Sequence, residues 1–182
     1  MKIVQLSDLH LTLPGAELFG SAPLARLELA IDRILENHAD ADFCLLTGDL
    51  ADAGGDATYA SLAEALRRLP MPAHLLPGNH DSREALRRHF PQLANNDGGF
   101  MQAALATPGG HFLLLDTMEP GAPWGNYCIQ RREWLAQQLA AASQPCPARQ
   151  RQAQPRVVLS RSVPRPKAAN PWPAQAMQAA RG

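Results

Sequence analysis

The stretch Lys2–His10, KIVQLSDLH, decides the reading: a short apolar run passes without a break into a polar segment carrying a carboxylate and an imidazole. The same transition recurs at Phe43–Asp49, FCLLTGD, and at Ala73–Asp81, AHLLPGNHD. Each apolar run is short and does not alternate with polar residues. Strands read this way when helices cover both faces of a parallel sheet. Between the runs, apolar residues fall at helical spacing: Leu24, Leu27, Ala30, Ile31, Ile34 and Leu35, then Tyr59, Leu62, Ala63, Leu66 and Leu69, stopped by Pro70. Ser82 is placed to cap a helix over residues 83–89, with Glu84 in its first turn. The order is strand-helix three times over, which predicts an α/β fold.

Further along, Gly99–Leu105 and His111–Leu115 flank Thr107-Pro108-Gly109-Gly110 and predict a hairpin. Arg131–Ala142 carries Trp134, Leu135 and Leu139 at helical spacing. Beyond Ser143 the composition changes. Residues 1–143 hold 10 Lys and Arg against 17 Asp and Glu, whereas residues 144–182 hold 7 Lys and Arg and no acid. Seven of the 16 prolines and six glutamines also fall in the latter stretch. The expected division is a folded domain over 1–143 and a Pro/Arg/Gln/Ala-rich tail over 144–182. That tail has too few apolar residues to offset the entropy of ordering it, apart from a short strand at Val157-Val158-Leu159.

The bulk numbers set the class. A 182-residue chain that is 46% hydrophobic and 19% charged fits one globular domain. Cys44, Cys128 and Cys146 are scattered with no CxxC pair, so nothing calls for an oxidising compartment. Asp8 and His10 interrupt the apolar N-terminal run before a signal-peptide core could form, and no stretch reaches membrane-spanning length. A cytoplasmic protein is expected.

Ligands of open parallel sheets bind just beyond the carboxyl ends of the strands. Asp8 and His10, Asp49, and the Gly78-Asn79-His80-Asp81 turn would therefore meet there although distant in sequence. In an extended segment Asp8 and His10 point the same way while Leu9 turns to the core. Asp49 has two oxygens and can bridge two cations about 3.5–4 Å apart. Asn79 adds an uncharged amide oxygen, and Gly48 and Gly78 allow sharp turns. Mixed oxygen and imidazole donors suit Mn, Fe, Co or Zn.

Asp8-x-His10, Gly48-Asp49 and Gly78-Asn79-His80-Asp81 resemble the first three signature blocks of the calcineurin-like metallophosphoesterases. The forms Ser7–Leu11 and Leu46–Leu50, then Leu115-Asp116-Thr117, Pro120-Gly121, Gly125 and Trp134-Leu135, are similar to the bacterial cyclic-nucleotide phosphodiesterase branch. The signature variants of the protein serine/threonine phosphatases are absent. The resemblance covers about residues 1–142. It implies a β-sandwich flanked by helices, with the metal site at the carboxyl ends of the strands. It also implies two divalent metal ions, the first held by Asp8, His10 and Asp49 and the second by Asp49 and Asn79. His80 would be the catalytic residue over the phosphate, oriented by Asp81, and a hydroxide activated by the metal pair would attack phosphorus. The implied substrate is a 3′,5′-cyclic nucleotide or another small phosphodiester, not nucleic acid.

The family pattern continues with further histidines, but the six here are His10, His38, His74, His80, His89 and His111, none beyond residue 111. Three expected imidazole ligands have no counterpart. The segment thus reads as out of register with the family from about residue 144, as a frameshifted or truncated frame would produce, and weak or absent activity is expected. His38 and His89 fall at helix ends and His74 and His111 near strand starts, where capping, solvation or packing accounts for them. Two alternatives stand beside the phosphodiesterase reading. One is a nuclease-type or lipid-precursor hydrolase of the same superfamily; the other is an inactive remnant serving as a binding domain.

Overall fold

A computed structural model of the chain describes residues 1–93, 98–142 and 156–159. Strand β1 (Ile3–Leu6), helix α1 (Pro23–His38), β2 (Phe43–Leu46), α2 (Asp56–Leu66), β3 (Ala73–Leu75) and α3 (Arg83–His89) alternate as the sequence predicts. The three strands form a parallel sheet in the order β1-β2-β3. Leu6 pairs with Leu46, and Leu46 with Leu75. The three strands therefore end level, and the polar residues after each emerge at one edge.

The expected hairpin is β4 (Ala103–Thr107) with β5 (Gly110–Leu115), and it is followed by α4 (Ile129–Ala142). Strand β6 (Arg156–Leu159) lies parallel to β5 and completes a second three-stranded sheet. It is the expected short strand of the 144–182 stretch; the expectation of disorder for the remainder concerns residues outside those described.

Burial explains why β2 is apolar throughout. Phe43 and Leu45 face the second sheet, where they pack with Leu76, Phe112 and Leu114. The rings of Phe43 and Phe112 meet edge to face at 5.4 Å, a favoured aromatic geometry. Cys44 and Leu46 face the other way, into a core that takes Leu27, Ile31 and Ile34 from α1 and Leu62 and Leu66 from α2. This is a two-sheet sandwich with helices on the outer face of the first sheet. Local signals set the helix ends. Pro23 supplies a pre-set φ at the start of α1. Ser82 Oγ accepts from Ala85 N at 3.3 Å to cap α3, whose last turn carries Arg87, Arg88 and His89 against the helix dipole. No described helix is long and apolar enough to cross a membrane.

Candidate metal centre

Backbone hydrogen bonds hold the loops after β1 and β2 side by side. Asp8 N donates to Gly48 O at 3.1 Å, His10 N to Asp49 O at 2.9 Å and Leu11 N to Leu50 O at 3.0 Å. The turn after β3 closes on them, with His80 N donating to Asp49 Oδ1 at 3.3 Å. Gly48 turns sharply as expected, at φ +108°. Gly78 has a different reason: a Cβ there would sit 2.2 Å from both the N and Oδ1 of Asp49. No side chain fits between these loops.

The backbone at the donors departs from expectation. Asp8, His10 and Asp49 take φ of +57°, +43° and +50°, so the segment Asp8-Leu9-His10 is not extended. Its two donors still share a side because both residues turn left-handed, while Leu9 packs against the core. Such conformations cost about 1–3 kcal/mol each and cluster at functional sites. Here the hydrogen bonds between the loops impose them.

Two donor groups result, both containing His10. One is Asp8, His10 and Asp49; the other is His10, Asp52 and His80, with the ligand atoms of each group within 4.8 Å of one another. His10 Nε2 lies 3.9 Å from Asp49 Oδ2. A metal with bonds of about 2.0–2.2 Å spans donors up to roughly 4.2 Å apart, so this pair is correctly spaced. His10 Nδ1 is buried without a hydrogen bond, 3.5 Å from Asp52 Oδ1. Three acids, two imidazoles and an orphaned nitrogen in one cluster fit a divalent cation. Asn79, half-buried, lies between Gly78 and His80 in the turn after β3.

Asp52 was missed by the sequence reading. Its signal is spacing: Leu50 and Ala51 are fully buried, so the chain returns to the polar side three residues after Asp49. His80 is exposed, its ring 4.8 Å from that of His10 in a T-shaped contact. Its Nδ1 is 2.9 Å from Asp52 O. A carbonyl only accepts, so Nδ1 carries the proton and Nε2 is left for other partners.

Asp81 is not where the sequence reading put it. None of its described hydrogen bonds is to His80. Its carboxylate accepts from Gly78 N at 2.7 Å, Leu50 N at 3.0 Å, Ala51 N at 3.0 Å and Tyr59 Oη at 2.9 Å. Tyr59 Oη in turn accepts from Ser82 N at 2.9 Å. Burial pushes the Asp81 carboxyl above its usual range, against the pull of these donors. Asp81 thus clamps the loop after β2 to the turn after β3.

A second buried carboxylate braces the other side. Asp116, at the end of β5, is 0% exposed and takes a bidentate contact from Arg83, Nε–Oδ2 at 2.6 Å and Nη2–Oδ1 at 2.8 Å. Met101 N and Met118 N also donate to it. Arg131 of α4 reaches the carbonyls of Asp116 and Met118. Helix α3, which follows the His80 turn, is therefore locked to the second sheet.

The other described histidines lie apart from the donor groups. His74 meets Phe43 edge to face at 5.5 Å and His89 Nε2 is 3.1 Å from Asp56 Oδ1, in keeping with packing and helix-end roles. His38 ends α1 and His111 lies in β5. Beside the donors opens a cleft of about 450 Å³, lined by Ser7, Asp8 and His10 together with Phe19, Ser21 and Arg26.

This geometry, two level carboxylate–imidazole loops at the edge of an α/β sandwich, is that of a metallophosphoesterase. Residues 1–170 match the family model of the calcineurin-like phosphoesterases, and the chain belongs to that family. A probable cyclic nucleotide phosphodiesterase of Rhodopseudomonas palustris is 38% identical over 144 residues, which cover 78% of this chain and 53% of the relative. A 3′,5′-cyclic adenosine monophosphate phosphodiesterase of Pseudomonas aeruginosa is 31% identical over 121 residues, 66% of this chain and 43% of the relative. A probable glycerophosphodiester phosphodiesterase of Arcobacter nitrofigilis is 27% identical over 141 residues, covering 76% and 52%. The chain spans about half the length of these relatives.

Proposed function

We propose that this chain carries the nucleotide-facing half of a metal-dependent phosphodiesterase site, acting on 3′,5′-cyclic nucleotides or other small phosphodiesters in the cytoplasm. The observation that carries the reading is the pair of donor groups joined through His10, the second of which includes His80. The names of two relatives above point to the same substrates. Asp8, His10 and Asp49 would hold one divalent cation, and Asp49 with Asn79 a second, of Mn, Fe, Co or Zn type. When bound, such ions neutralise charge on a phosphoryl group and lower the pKa of water.

The chain's own residues do the rest. The backbone carbonyl of Asp52 fixes the His80 ring with Nδ1 protonated, which directs Nε2 at a phosphate held beside the donors. In the imidazolium form Nε2 donates a proton to the departing ester oxygen, and in the neutral form it accepts one. Asp81 binds no substrate in this scheme; it keeps Asp49 and His80 in register.

The six histidines leave the three later imidazoles of the family pattern without counterparts, so turnover by this chain alone is proposed to be weak or absent. Two measurements test the reading. Mn²⁺ binding by calorimetry should be measurable in the unmodified chain and fall by at least tenfold in Asp49→Asn. Hydrolysis of bis-p-nitrophenyl phosphate with Mn²⁺ should be marginal. Equal Mn²⁺ affinity in the two proteins would refute the metal site. Robust turnover would refute the claim of an under-liganded centre.

A further inference from the structure

We propose that the cleft beside the donor cluster is a nucleobase site with Phe19 as its stacking platform, so that the chain favours phosphodiesters carrying a base over glycerol-type ones. This rests on the phosphodiesterase reading and narrows it. Phe19 is 100% exposed and sits at φ +50°. A bulky residue rarely adopts that backbone, and an aromatic side chain gains nothing from full exposure to water. Neither folding energy nor local preference accounts for a phenylalanine here.

The backbone that carries the ring is nevertheless held in place. Phe19 and Gly20, both left-handed, form the two-residue turn between Leu18 and Ser21. Leu18 N donates to Ser21 O at 2.8 Å and Ser21 N to Leu18 O at 3.0 Å, so the turn fixes where the ring leaves the backbone at the cleft. Ser7, Asp8 and His10 line the same cleft. A ligand anchored by its phosphate at the donors would extend its other substituent toward Phe19.

The cleft wall tells which substituent fits. It is open and offers one aromatic face, which covers a flat ring adequately but leaves most of an aliphatic chain in water. Arg26 and Ser21, joined by an Nη1–Oγ contact of 3.4 Å, supply polar groups beside it. Bases present ring nitrogens and carbonyls that accept from such donors, whereas a glycerol moiety has no face to stack.

Binding of AMP and ribose 5-phosphate, measured by calorimetry in Mn²⁺ buffer, tests the proposal, since the two probes share a phosphate and a sugar and differ in the base. Base–aromatic stacking worth about 1–3 kcal/mol makes the expected preference for AMP roughly 5- to 150-fold. Phe19→Ala should abolish that preference and leave ribose 5-phosphate affinity unchanged, while Phe19→Trp should keep it. The ring is fully exposed, so its removal leaves no cavity. Equal binding of the two probes by the unmodified chain, a preference that survives Phe19→Ala, or equal weakening of both probes would each overturn the base site. Asp49→Asn separates this from the underlying reading: it should weaken both probes alike with the AMP preference retained. If both probes kept their affinity in Asp49→Asn, the metal site would fail while the Phe19 result stood on its own.

Discussion

Gly78→Ala should be among the most damaging single-methyl changes in this protein. The added carbon would lie 2.2 Å from the backbone N and the Oδ1 of Asp49, so the two loops must separate by roughly 1 Å to restore ordinary contact. Asp49 cannot retreat alone, because His10 N bonds to its carbonyl and Asp8 N to the carbonyl of Gly48. Overpacking costs about 1–3 kcal/mol, and two disrupted hydrogen bonds add about 1 kcal/mol each. The expected loss is therefore about 3–5 kcal/mol, a fall of roughly 1.5–3 M in the urea midpoint. Mn²⁺ affinity should fall with it. Gly15→Ala is the control: Gly15 has φ +80° and nothing within 4 Å of a built Cβ, so it should lose only about 1–2 kcal/mol through backbone strain. Urea melts of the two variants decide the matter. If Gly78→Ala loses no more than Gly15→Ala, the close approach of the two loops is wrong.

Substitutions at three further positions test the packing around the site. Tyr59→Phe removes the donor to Asp81 and the acceptor for Ser82 N, and should cost about 1–3 kcal/mol in chemical denaturation. Arg83→Ala strands the Asp116 carboxylate in the interior, with an expected loss of about 3–5 kcal/mol. Arg83→Lys should recover only part of it, since an ammonium cannot reproduce the two-point contact, and thermal melts would show the order. Burial lowers the His74 pKa below its ordinary 6.5, so the folded state holds it neutral while the unfolded chain protonates. Its contribution is present above pH 6.5 and is lost as the pH falls below that value, at no more than about 1.4 kcal/mol per pH unit. His74→Leu should flatten the acid side of a stability–pH profile, and an unchanged slope would count against the packing of His74 under Phe43.

The alternating strands and helices were legible because apolar runs and helical spacing report burial directly; β1 and β2 end where their runs end, at Leu6 and Leu46, and β3 stops at Leu75, one residue before its run does. The donors were legible as residue types but not as conformations. Nothing in Ser-Asp-Leu-His tells that Asp8 and His10 turn left-handed, since that follows from hydrogen bonds to a loop some 40 residues away. Asp81 was paired with His80 by adjacency. In the fold, a buried carboxylate's need for donors is met by the backbone of Leu50, Ala51 and Gly78 instead. Asp52 escaped notice because its partners lie on other loops. The Arg83–Asp116 pair joins residues whose sequence neighbours are unremarkable; only an acid closing the apolar run Phe112–Leu115 hinted at it.

The hydrogen bonds that tie the three loops run from protein to protein, through Gly48, Asp49 and Asp81. The protein's own backbone thus does much of the work of shaping the seat. Loading should resemble a key entering a finished lock, with chelation leaving the far-ultraviolet circular dichroism and the urea slope unchanged. A scaffold of this kind can exchange one divalent ion for another without refolding, and selectivity among them would then rest on bond length and donor softness alone.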